Sequence, residues 1–191
     1  MGPERREEIL VAALRLFSEH GVHTVSTRQI ASAVGISQPS LYAYFPTKQA
    51  LALEVCQRAF GALVARMEAV IDQASGRDLM ATMARAYVDF GLSQPDAYRV
   101  AFMIETAGPG DDAGEDPALK AGLDAYLLHR QAVGRVLGGE LTEVELDCLA
   151  QSTWASLHGL VSLLIARPTF PWVDRETLIR AHIESLLPGS A

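Results

Sequence analysis

The sequence has little cysteine, and it has neither a long apolar run nor the alternating pattern of a β-strand. Its two cysteines, Cys56 and Cys148, lie far apart without neighbouring metal-ligand residues, which favours a disulfide-free cytoplasmic protein. The longest apolar stretch, residues 154–166, is interrupted by polar residues and is shorter than the roughly 20 residues that span a bilayer. Residues 1–8 are polar and no apolar run follows them, so we expect no secretory signal. These absences predict a soluble protein that makes no contact with a membrane.

The motifs of the common enzyme classes are also missing. No serine, cysteine or histidine lies in a recognisable nucleophile motif, and no glycine-rich phosphate loop follows a strand. The acidic segment 108–116 (GPGDDAGED) lacks both the alternating spacing and the terminal glutamate of a calcium loop. We expect no enzyme activity, no metal and no cofactor. An enzyme stays open as a second hypothesis only through that segment and the five histidines.

Charge is distributed unevenly along the chain. The 191 residues carry a net charge of −7, which by itself argues against binding to nucleic acid. Residues 1–50, however, carry five basic and four acidic side chains, whereas the rest of the chain carries eleven and nineteen. A neutral-to-basic head on an acidic body is compatible with DNA binding at one end of the protein.

Apolar residues recur at helical spacing along the whole chain, which predicts an all-α fold of about nine helices. Gly21 ends the first helix, because glycine accepts left-handed dihedral angles. Ser26 with Gln29, and Thr142 with Glu145, have the spacing of capping boxes that start two further helices. After the first helix, we predict helices at 26–34, 37–45, 47–73, 78–93, 96–107, 117–137, 143–166 and 175–187.

Residues 26–46 have the pattern of a helix-turn-helix. A helix of about eight residues is followed by a turn at Gly35 and a second short helix that Ser37 caps. Pro39 lies in the first turn of that short helix, where its missing N–H has no cost. Ala31 is small where two helices would cross closely. An unrelated helical hairpin is the alternative interpretation of this segment.

The same segment resembles the signature of the TetR family of bacterial transcriptional regulators. Residues 26–51 read STRQIASAVGISQPSLYAYFPTKQAL, in which an Ile-Ala pair, a glycine turn, L-Y-x-x-F and K-x-x-L follow in fixed order. The resemblance covers residues 21–51 and the helix before them. It implies a three-helix DNA-binding head, residues 1–47, and a helical body for ligand binding and dimerisation, residues 48–191.

The resemblance implies that the short helix enters the major groove of double-stranded DNA. Gln38 would pair with adenine, Pro39 would contact a thymine methyl group, and Ser40 lies beside them at the start of the helix. Arg28 would reach a guanine, although it could instead be a solvated helix residue. The residues implied to hold phosphates are Ser26, Thr27, Tyr42, Tyr44 and Lys48. For Tyr42, core packing with the hydroxyl at the edge is an open alternative.

A three-helix head has few phosphate anchors, so we expect two copies to bind a palindromic operator as a homodimer. Residues 154–166 are apolar on more than one face, and the last helix adds an apolar stripe. Packing of both stripes only within one chain is the alternative. The residues predicted for the dimer interface are Leu157, Val161, Leu164, Leu178, Ile179, His182, Ile183 and Leu186.

The body carries a second resemblance. Trp154, His158 and Gly159 match the W-x-x-x-H-G pattern of one TetR subgroup. The implied function of the body is to bind a small hydrophobic or aromatic effector, and a filled core is the alternative. The residues predicted for this ligand site are Met83, Tyr87, Phe90, Phe102, Met103, Tyr126, Trp154 and His158.

These expectations combine into a repressor that the effector releases from DNA. The fourth helix, which leaves the head at Lys48, is the predicted lever between two spacings of the paired heads. Two alternatives remain: a transcriptional activator with the same head, and a helical interaction protein that does not bind DNA. Steep weakening of DNA binding with rising salt distinguishes the DNA-binding classes from the last alternative.

Overall fold

The protein is described by a computed structural model over residues 2–102, 117–137, 139 and 141–187, without the side chains of residues 117–119 and 121. Across these residues the chain forms nine helices and no strand, which confirms the predicted all-α fold. The helices are α1 (Pro3–His20), α2 (Thr27–Val34), α3 (Gln38–Tyr42), α4 (Lys48–Ile71), α5 (Gly76–Ser93), α6 (Pro95–Phe102), α7 (Pro117–Leu137), α8 (Glu143–Ala166) and α9 (Arg175–Ser185).

Local signals set the ends of the helix-turn-helix as predicted. The Ser26 hydroxyl accepts a hydrogen bond from the Gln29 backbone N–H at 3.2 Å, and the Gln29 side chain accepts one from the Ser26 N–H at 2.8 Å. Gly35 ends α2 with φ of 72° and ψ of 32°. This left-handed conformation is the one that glycine adopts without steric cost. Ser37 then caps α3 by accepting from the Ser40 N–H at 3.2 Å.

The same agreement holds at two later helices. Thr47 accepts a hydrogen bond from the Ala50 N–H at 3.0 Å at the start of α4. At the start of α8, Thr142 accepts from the Glu145 N–H at 3.3 Å, and the Glu145 carboxylate accepts from the Thr142 N–H at 2.8 Å. These contacts span only three residues, which is why the sequence pattern reveals them. The predicted end of α6 at residue 107 and the acidic segment 108–116 lie outside the described residues.

The chain divides into two compact units. Unit 1 comprises Met1–Gly61 and Asp96–Gly122, and unit 2 comprises Ala62–Pro95 and Leu123–Ala191. Unit 1 is therefore larger than the predicted head, because the first half of α4 and most of α6 belong to it. The predicted division at residues 47 and 48 stays a prediction about function. Helix α4 contributes residues to both units.

The core of unit 1 is built from α1, α2, α3, the start of α4 and one residue of α6. Phe17, Ile30, Leu41 and Phe45 are almost completely buried in it, and Val100 of α6 packs in the same cluster. A second link joins α6 to α1, since the Ser18 hydroxyl donates to the Asp96 carboxylate at 2.7 Å. Helix α6 is thus held against the first helices of unit 1 by the packing of Val100 and by the hydrogen bond of Asp96.

Unit 2 packs α5 against α8 and α9. Helix α8 is the one helix in the described part of the chain whose length and apolar composition would allow it to cross a membrane. Its residues Leu157, Val161 and Leu164 are buried within the unit. A core helix of a soluble protein passes the same test of length and composition, so we interpret α8 as such a helix.

Candidate functional site

The first turn of α3 is held on the surface of unit 1. Leu41 is completely buried and Phe45 is 2% exposed, so the far end of the short helix is anchored in the core. Gln38, Pro39 and Ser40 are exposed at the opposite end. The structure therefore brings the three predicted base-contacting residues together on one accessible turn. Their contact with bases stays a prediction.

A hydrogen-bonded network joins α2 to α3 beneath that turn. The Gln38 amide donates to the Thr27 hydroxyl at 2.9 Å. The Thr27 and Tyr42 hydroxyl oxygens share a hydrogen bond at 3.2 Å. Thr27 is buried at 7% exposure, whereas Tyr42 is 43% exposed. The hydrogen bond from Thr27, followed by that from Gln38, lowers the pKa of the Tyr42 hydroxyl.

The other predicted DNA contacts of α2 and α3 are placed differently. Arg28 is exposed and makes no hydrogen bond or ion pair with the rest of the described chain. The Ser26 hydroxyl is exposed but already donates to the Gln29 side chain at 2.8 Å. Tyr44 is half-buried and packs against the core of unit 1. The guanidinium donors of Arg28 are therefore available to a partner.

Lys48 has a structural role that the sequence did not indicate. Its ammonium group donates to the backbone carbonyls of Val22, His23 and Val25 at 2.9, 3.3 and 3.0 Å. A lysine ammonium has three hydrogens, so the loop between α1 and α2 engages all of them. Phosphate binding by Lys48 stays a prediction, and it would require one of these carbonyls to be released.

Charged pairs also fix α1 on α4 within unit 1. The Arg6 guanidinium donates to both oxygens of Glu54 and lies 4.8 Å from the centre of the Phe45 ring. The hydrogen bond with Glu54 raises the pKa of Arg6. Arg58 pairs with Glu7 in the same region. These partners lie about 50 residues apart in the chain, and no local pattern connects them.

One surface groove of unit 1 is acidic. It lies between α1 and α2, has a volume of about 780 Å³, and is lined by Glu4, Glu7 and Glu8 together with Val11 and other residues. Carboxylates repel phosphate groups, so this groove does not fit a DNA backbone. The candidate DNA surface is instead the turn that carries Gln38 and its neighbours.

Aromatic side chains surround Trp154 in unit 2. The ring centres of Tyr87, His129 and Tyr126 lie 5.0, 5.4 and 6.0 Å from that of Trp154, in edge-to-face arrangements. Such geometry is favourable for aromatic pairs. The structure thus brings three of the predicted ligand-site residues together. It adds His129, which the sequence analysis did not select.

His129 is a buried neutral histidine. Its Nε2 atom lies 2.8 Å from the Thr153 hydroxyl, and its side chain is 6% exposed. Burial lowers the pKa of His129 to about 4, because a charged imidazolium would lose its hydration. The nearby Tyr126 hydroxyl is buried without a hydrogen-bond partner among the described residues. His129 lies on α7, and Thr153 and Trp154 lie on α8, more than twenty residues later in the sequence. Because of this separation, only the folded structure reveals the cluster.

The remaining predicted ligand-site residues are dispersed. Met83 and Phe90 are buried in unit 2, whereas Phe102 belongs to unit 1, where it packs against Phe60 and Tyr98 with ring-centre distances of 5.0 and 4.8 Å. His158 is half-buried and hydrogen bonds with Ser162 at 3.2 Å, and burial lowers its pKa. Met103 lies outside the described residues. A role for any of them in ligand binding stays a prediction.

Most of the residues predicted for a dimer interface are buried. Five of the eight have at most 7% of their surface exposed because they pack inside unit 2. These are Leu157, Val161, Leu164, Ile179 and Ile183. Leu178, His182 and Leu186 remain half-buried, and His182 hydrogen bonds with Ser156 at 3.1 Å. Contact of any of the eight with a second copy stays a prediction.

The outward face of α8 is small and uncharged. No aspartate, glutamate, lysine or arginine occurs between residues 148 and 166. Leu163 is 52% exposed on this stretch. Its other exposed residues recur at the spacing of one helical face and are Cys148, Gln151, Ser152, Ala155 and Ala166. We name this set, with Leu163, the small-residue face.

Among the described residues, no group of three or more histidine, cysteine, aspartate or glutamate side chains is placed to hold a metal ion. The acidic segment 108–116 is not part of that statement.

Comparison with known proteins identifies both halves of the chain. Residues 9–55 match the model for bacterial regulatory proteins of the tetR family, and residues 80–186 match that for the tetracyclin repressor-like C-terminal domain. The transcriptional activator FasR of Mycolicibacterium smegmatis is 33% identical over 100 residues, 52% of this chain and 46% of FasR. The regulator RutR of Escherichia coli K12 is 29% identical over 154 residues, 80% of this chain and 71% of RutR. The chain thus spans less than half the length of FasR.

Solved structures share the fold. The MbdR regulator of Azoarcus sp. CIB has a TM-score of 0.78 at 24% identity, over 97% of this chain and 98% of MbdR. FadR of Bacillus subtilis, solved in complex with stearoyl-CoA, has a TM-score of 0.77 at 16% identity, over 96% of this chain and 98% of FadR. Regulators with these two domains bind operator DNA and effector ligands and act as dimers. The chain therefore belongs to the TetR family of bacterial DNA-binding transcriptional regulators.

Proposed function

We propose that the chain is a cytoplasmic repressor that binds a palindromic operator as a homodimer and is released by a small hydrophobic or aromatic effector. The observation that carries the proposal is the exposed first turn of α3. Gln38, Pro39 and Ser40 project from a helix whose opposite end, Leu41, is completely buried. A short helix anchored in this way can enter the major groove without rearrangement of the core.

The polar residues around this turn divide into two groups. Gln38 and Arg28 have the donors needed to distinguish adenine and guanine in the major groove. Ser26, Thr27, Tyr42, Tyr44 and Lys48 would contribute affinity through phosphates. Among these, the half-exposed hydroxyl of Tyr42 is the best placed, because Thr27 and Lys48 already have partners inside unit 1.

A gel-shift titration tests DNA binding and its chemistry. Duplexes selected from a randomised pool serve as the operator, and each is titrated at two salt concentrations. We expect a steep loss of affinity with salt, because released counterions drive the association. Arg28→Ala should relax the sequence preference by about tenfold at one guanine. Arg15→Ala is the matched control, since Arg15 is also exposed in unit 1 but lies in the acidic groove. Salt-independent binding would contradict the proposal.

The small-residue face of α8 supports the homodimer. A face of this kind lets two helices approach closely, and it leaves no charge to be desolvated. Ala155 lies at its centre and is exposed. We expect Ala155→Glu to convert the dimer to a monomer in sedimentation equilibrium, because two like charges would meet across the two-fold axis. The exposed Gln131→Glu on α7 adds the same charge elsewhere and should leave the dimer intact.

The aromatic cluster around Trp154 supports a hydrophobic or aromatic effector. Its polar groups are one neutral imidazole, two phenols and the indole N–H, none of them charged, so an uncharged ligand fits its chemistry. Helix α4 would transmit the signal as a lever, since it is continuous from the head to residue 71. A long acyl chain belongs in the panel of test compounds, because the FadR structure contains stearoyl-CoA. Equal effector affinity with and without operator would contradict this mechanism.

A transcriptional activator with the same head is the second candidate. FasR, an activator, is the relative that supports it. A reporter gene under the selected operator separates the two, since deletion of the regulator raises expression for a repressor and lowers it for an activator. Neither mode requires an enzymatic reaction, and we propose none for this chain.

A further inference from the structure

Three polar side chains from two helices meet at the hydroxyl oxygen of Thr27. The Gln38 amide nitrogen lies 2.9 Å from it and the Tyr42 hydroxyl oxygen 3.2 Å from it. Thr27 is 7% exposed, so the shared oxygen is largely shielded from water, whereas Gln38 and Tyr42 both extend to the surface. The candidate DNA contacts Gln38 and Tyr42 are therefore both hydrogen bonded to the Thr27 hydroxyl oxygen, which is itself too buried to extend far into a DNA groove.

Counting hydrogens gives the direction of each bond. An amide nitrogen only donates, so Thr27 accepts from Gln38. If Tyr42 also donated to Thr27, the Thr27 hydrogen would be left without an acceptor in this network. Donation from Thr27 to Tyr42 satisfies every group. The Tyr42 hydrogen is then free to point into solvent, and the lowered pKa of Tyr42 agrees with a phenol oxygen that accepts.

This arrangement fixes the orientation of the Gln38 side chain. One amide hydrogen faces the paired hydroxyls of Thr27 and Tyr42, which leaves the second hydrogen and the carbonyl oxygen for a partner. A donor beside an acceptor is the combination that pairs with N7 and N6 of adenine. Guanine presents two acceptors at the same place, so a fixed Gln38 discriminates against it. A rotating amide would lose part of that discrimination through the entropy of ordering.

We infer that Thr27 is a positioning residue that couples adenine selection by Gln38 to phosphate binding by Tyr42. This inference rests on the proposed function, because it requires that α3 enters the major groove. This role acts through the Thr27 hydroxyl network and is additional to the phosphate contact proposed above for Thr27. Its role is thus different from that of Ser26, whose hydroxyl is engaged with Gln29 at the helix cap.

The test compares Thr27→Val, which keeps the shape and removes the hydroxyl, with Thr27→Ser, which keeps the hydroxyl. The probes are the duplex selected by the parent protein and its variants with guanine at each adenine of the half-site. We expect Thr27→Val to reduce the preference for adenine over guanine about tenfold at one position, and Thr27→Ser to restore it. A purely structural role would weaken all duplexes equally and would leave the preference unchanged.

A double-mutant cycle tests the coupling to Tyr42. In the parent background, Tyr42→Phe should reduce affinity for every duplex several-fold through loss of a phosphate contact. In the Thr27→Val background the same change should have a smaller effect, because the Tyr42 hydroxyl is no longer oriented. Equal effects in both backgrounds, with an unchanged adenine preference in Thr27→Val, would overturn the inference.

A measurement without DNA separates this inference from the proposed function. Hydrogen exchange of the Gln38 side-chain amide, followed by NMR, should be slower in the parent and Thr27→Ser than in Thr27→Val. Identical exchange in all three would overturn the inference even if the parent binds DNA normally. Slow exchange in the parent together with no DNA binding would leave the network in place and refute the proposed function, and with it the coupling.

Discussion

The two units hold their candidate functional side chains in opposite environments. In unit 1 the first turn of α3 is exposed, and hydrogen bonds to Thr27 order it before any partner arrives. In unit 2, Tyr87 is 1% exposed and the aromatic cluster around Trp154 is closely packed. Under the proposed function, the first arrangement binds DNA without rearrangement. If the proposed effector binds at the second, the cluster must open or repack to admit it.

Different interactions preorganise the side chains of the two units. Short polar contacts order the surface of unit 1, where side-chain entropy would otherwise reduce affinity. Burial and contacts between aromatic rings order unit 2. A charged group there would lose its hydration, which is unfavourable in free energy.

The largest effect concerns the buried His129. Its pKa falls from 6.5 to about 4 on folding because of burial. The unfolded chain therefore binds a proton between these pH values that the folded chain does not. The contribution of His129 to the free energy of unfolding is therefore fully present above pH 6.5 and is lost as the pH falls toward 4. We expect a decrease of about 3 kcal/mol in the free energy of unfolding over this range.

Urea unfolding at several pH values measures this loss. His129→Gln should remove it, whereas His23→Gln, a change at an exposed histidine, should keep it. If His129→Gln retained the full pH dependence of the parent, the assignment of a neutral buried imidazole would be incorrect.

Lys48 tests whether the head is ordered by polar contacts. Lys48→Met removes the donor of three backbone carbonyls, and we expect the free energy of unfolding to fall by about 2 kcal/mol. Arg15→Met, which removes an exposed cation from the same unit, should change it by less than about 0.5 kcal/mol. A phosphate role alone would give the reverse result, with unchanged stability and a salt dependence of DNA binding reduced by about one charge.

Two glycines of unit 1 should respond with opposite signs. Gly35 has φ of 72°, and nothing lies within 4 Å of an added Cβ atom, so only the backbone opposes Gly35→Ala. We expect a loss of about 1 kcal/mol. Gly61 lies inside α4 with equally open surroundings, and Gly61→Ala should stabilise the helix by up to about 1 kcal/mol. Thermal unfolding of the two variants checks the pair, and a shared sign would contradict the explanation.

The smallest effects come from surface charges. Arg6 pairs with both oxygens of Glu54 and also lies over the Phe45 ring, so Arg6→Ala should cost about 1 kcal/mol. The ion pair of Arg77 with Glu184 in unit 2 is more exposed on its acidic side, and Arg77→Ala should cost less than about 0.5 kcal/mol. Chemical denaturation in low and high salt measures both. A larger loss for Arg77→Ala would contradict this ranking.

Much of the helix-turn-helix was predictable because its signals are local. The capping box of Ser26 and Gln29, the turn at Gly35 and the cap at Ser37 each involve residues at most three apart, and all were confirmed. The family resemblance also depends on this segment. The exposed turn with Gln38 follows from the same spacing, because a short helix with Leu41 inward must direct its first residues outward.

The contacts that the sequence did not reveal are long-range. Lys48 reaches the loop at Val22 across 26 residues, and His129 reaches Thr153 across 24. The dimer residues show the same limit, since α8 is apolar on several faces and its pattern alone does not distinguish inward from outward. Leu157 and Val161 were therefore assigned to an interface although they are buried in unit 2.

The helices, their caps and the family can be inferred from the amino-acid sequence, since these depend on neighbouring residues and on a compact motif. The packing of the helices establishes which face of α8 is free, where the Lys48 ammonium donates and why Thr27 lies between Gln38 and Tyr42. Burial and hydrogen bonding between distant segments depend on how helices pack, and periodicity along one helix carries no information about that packing.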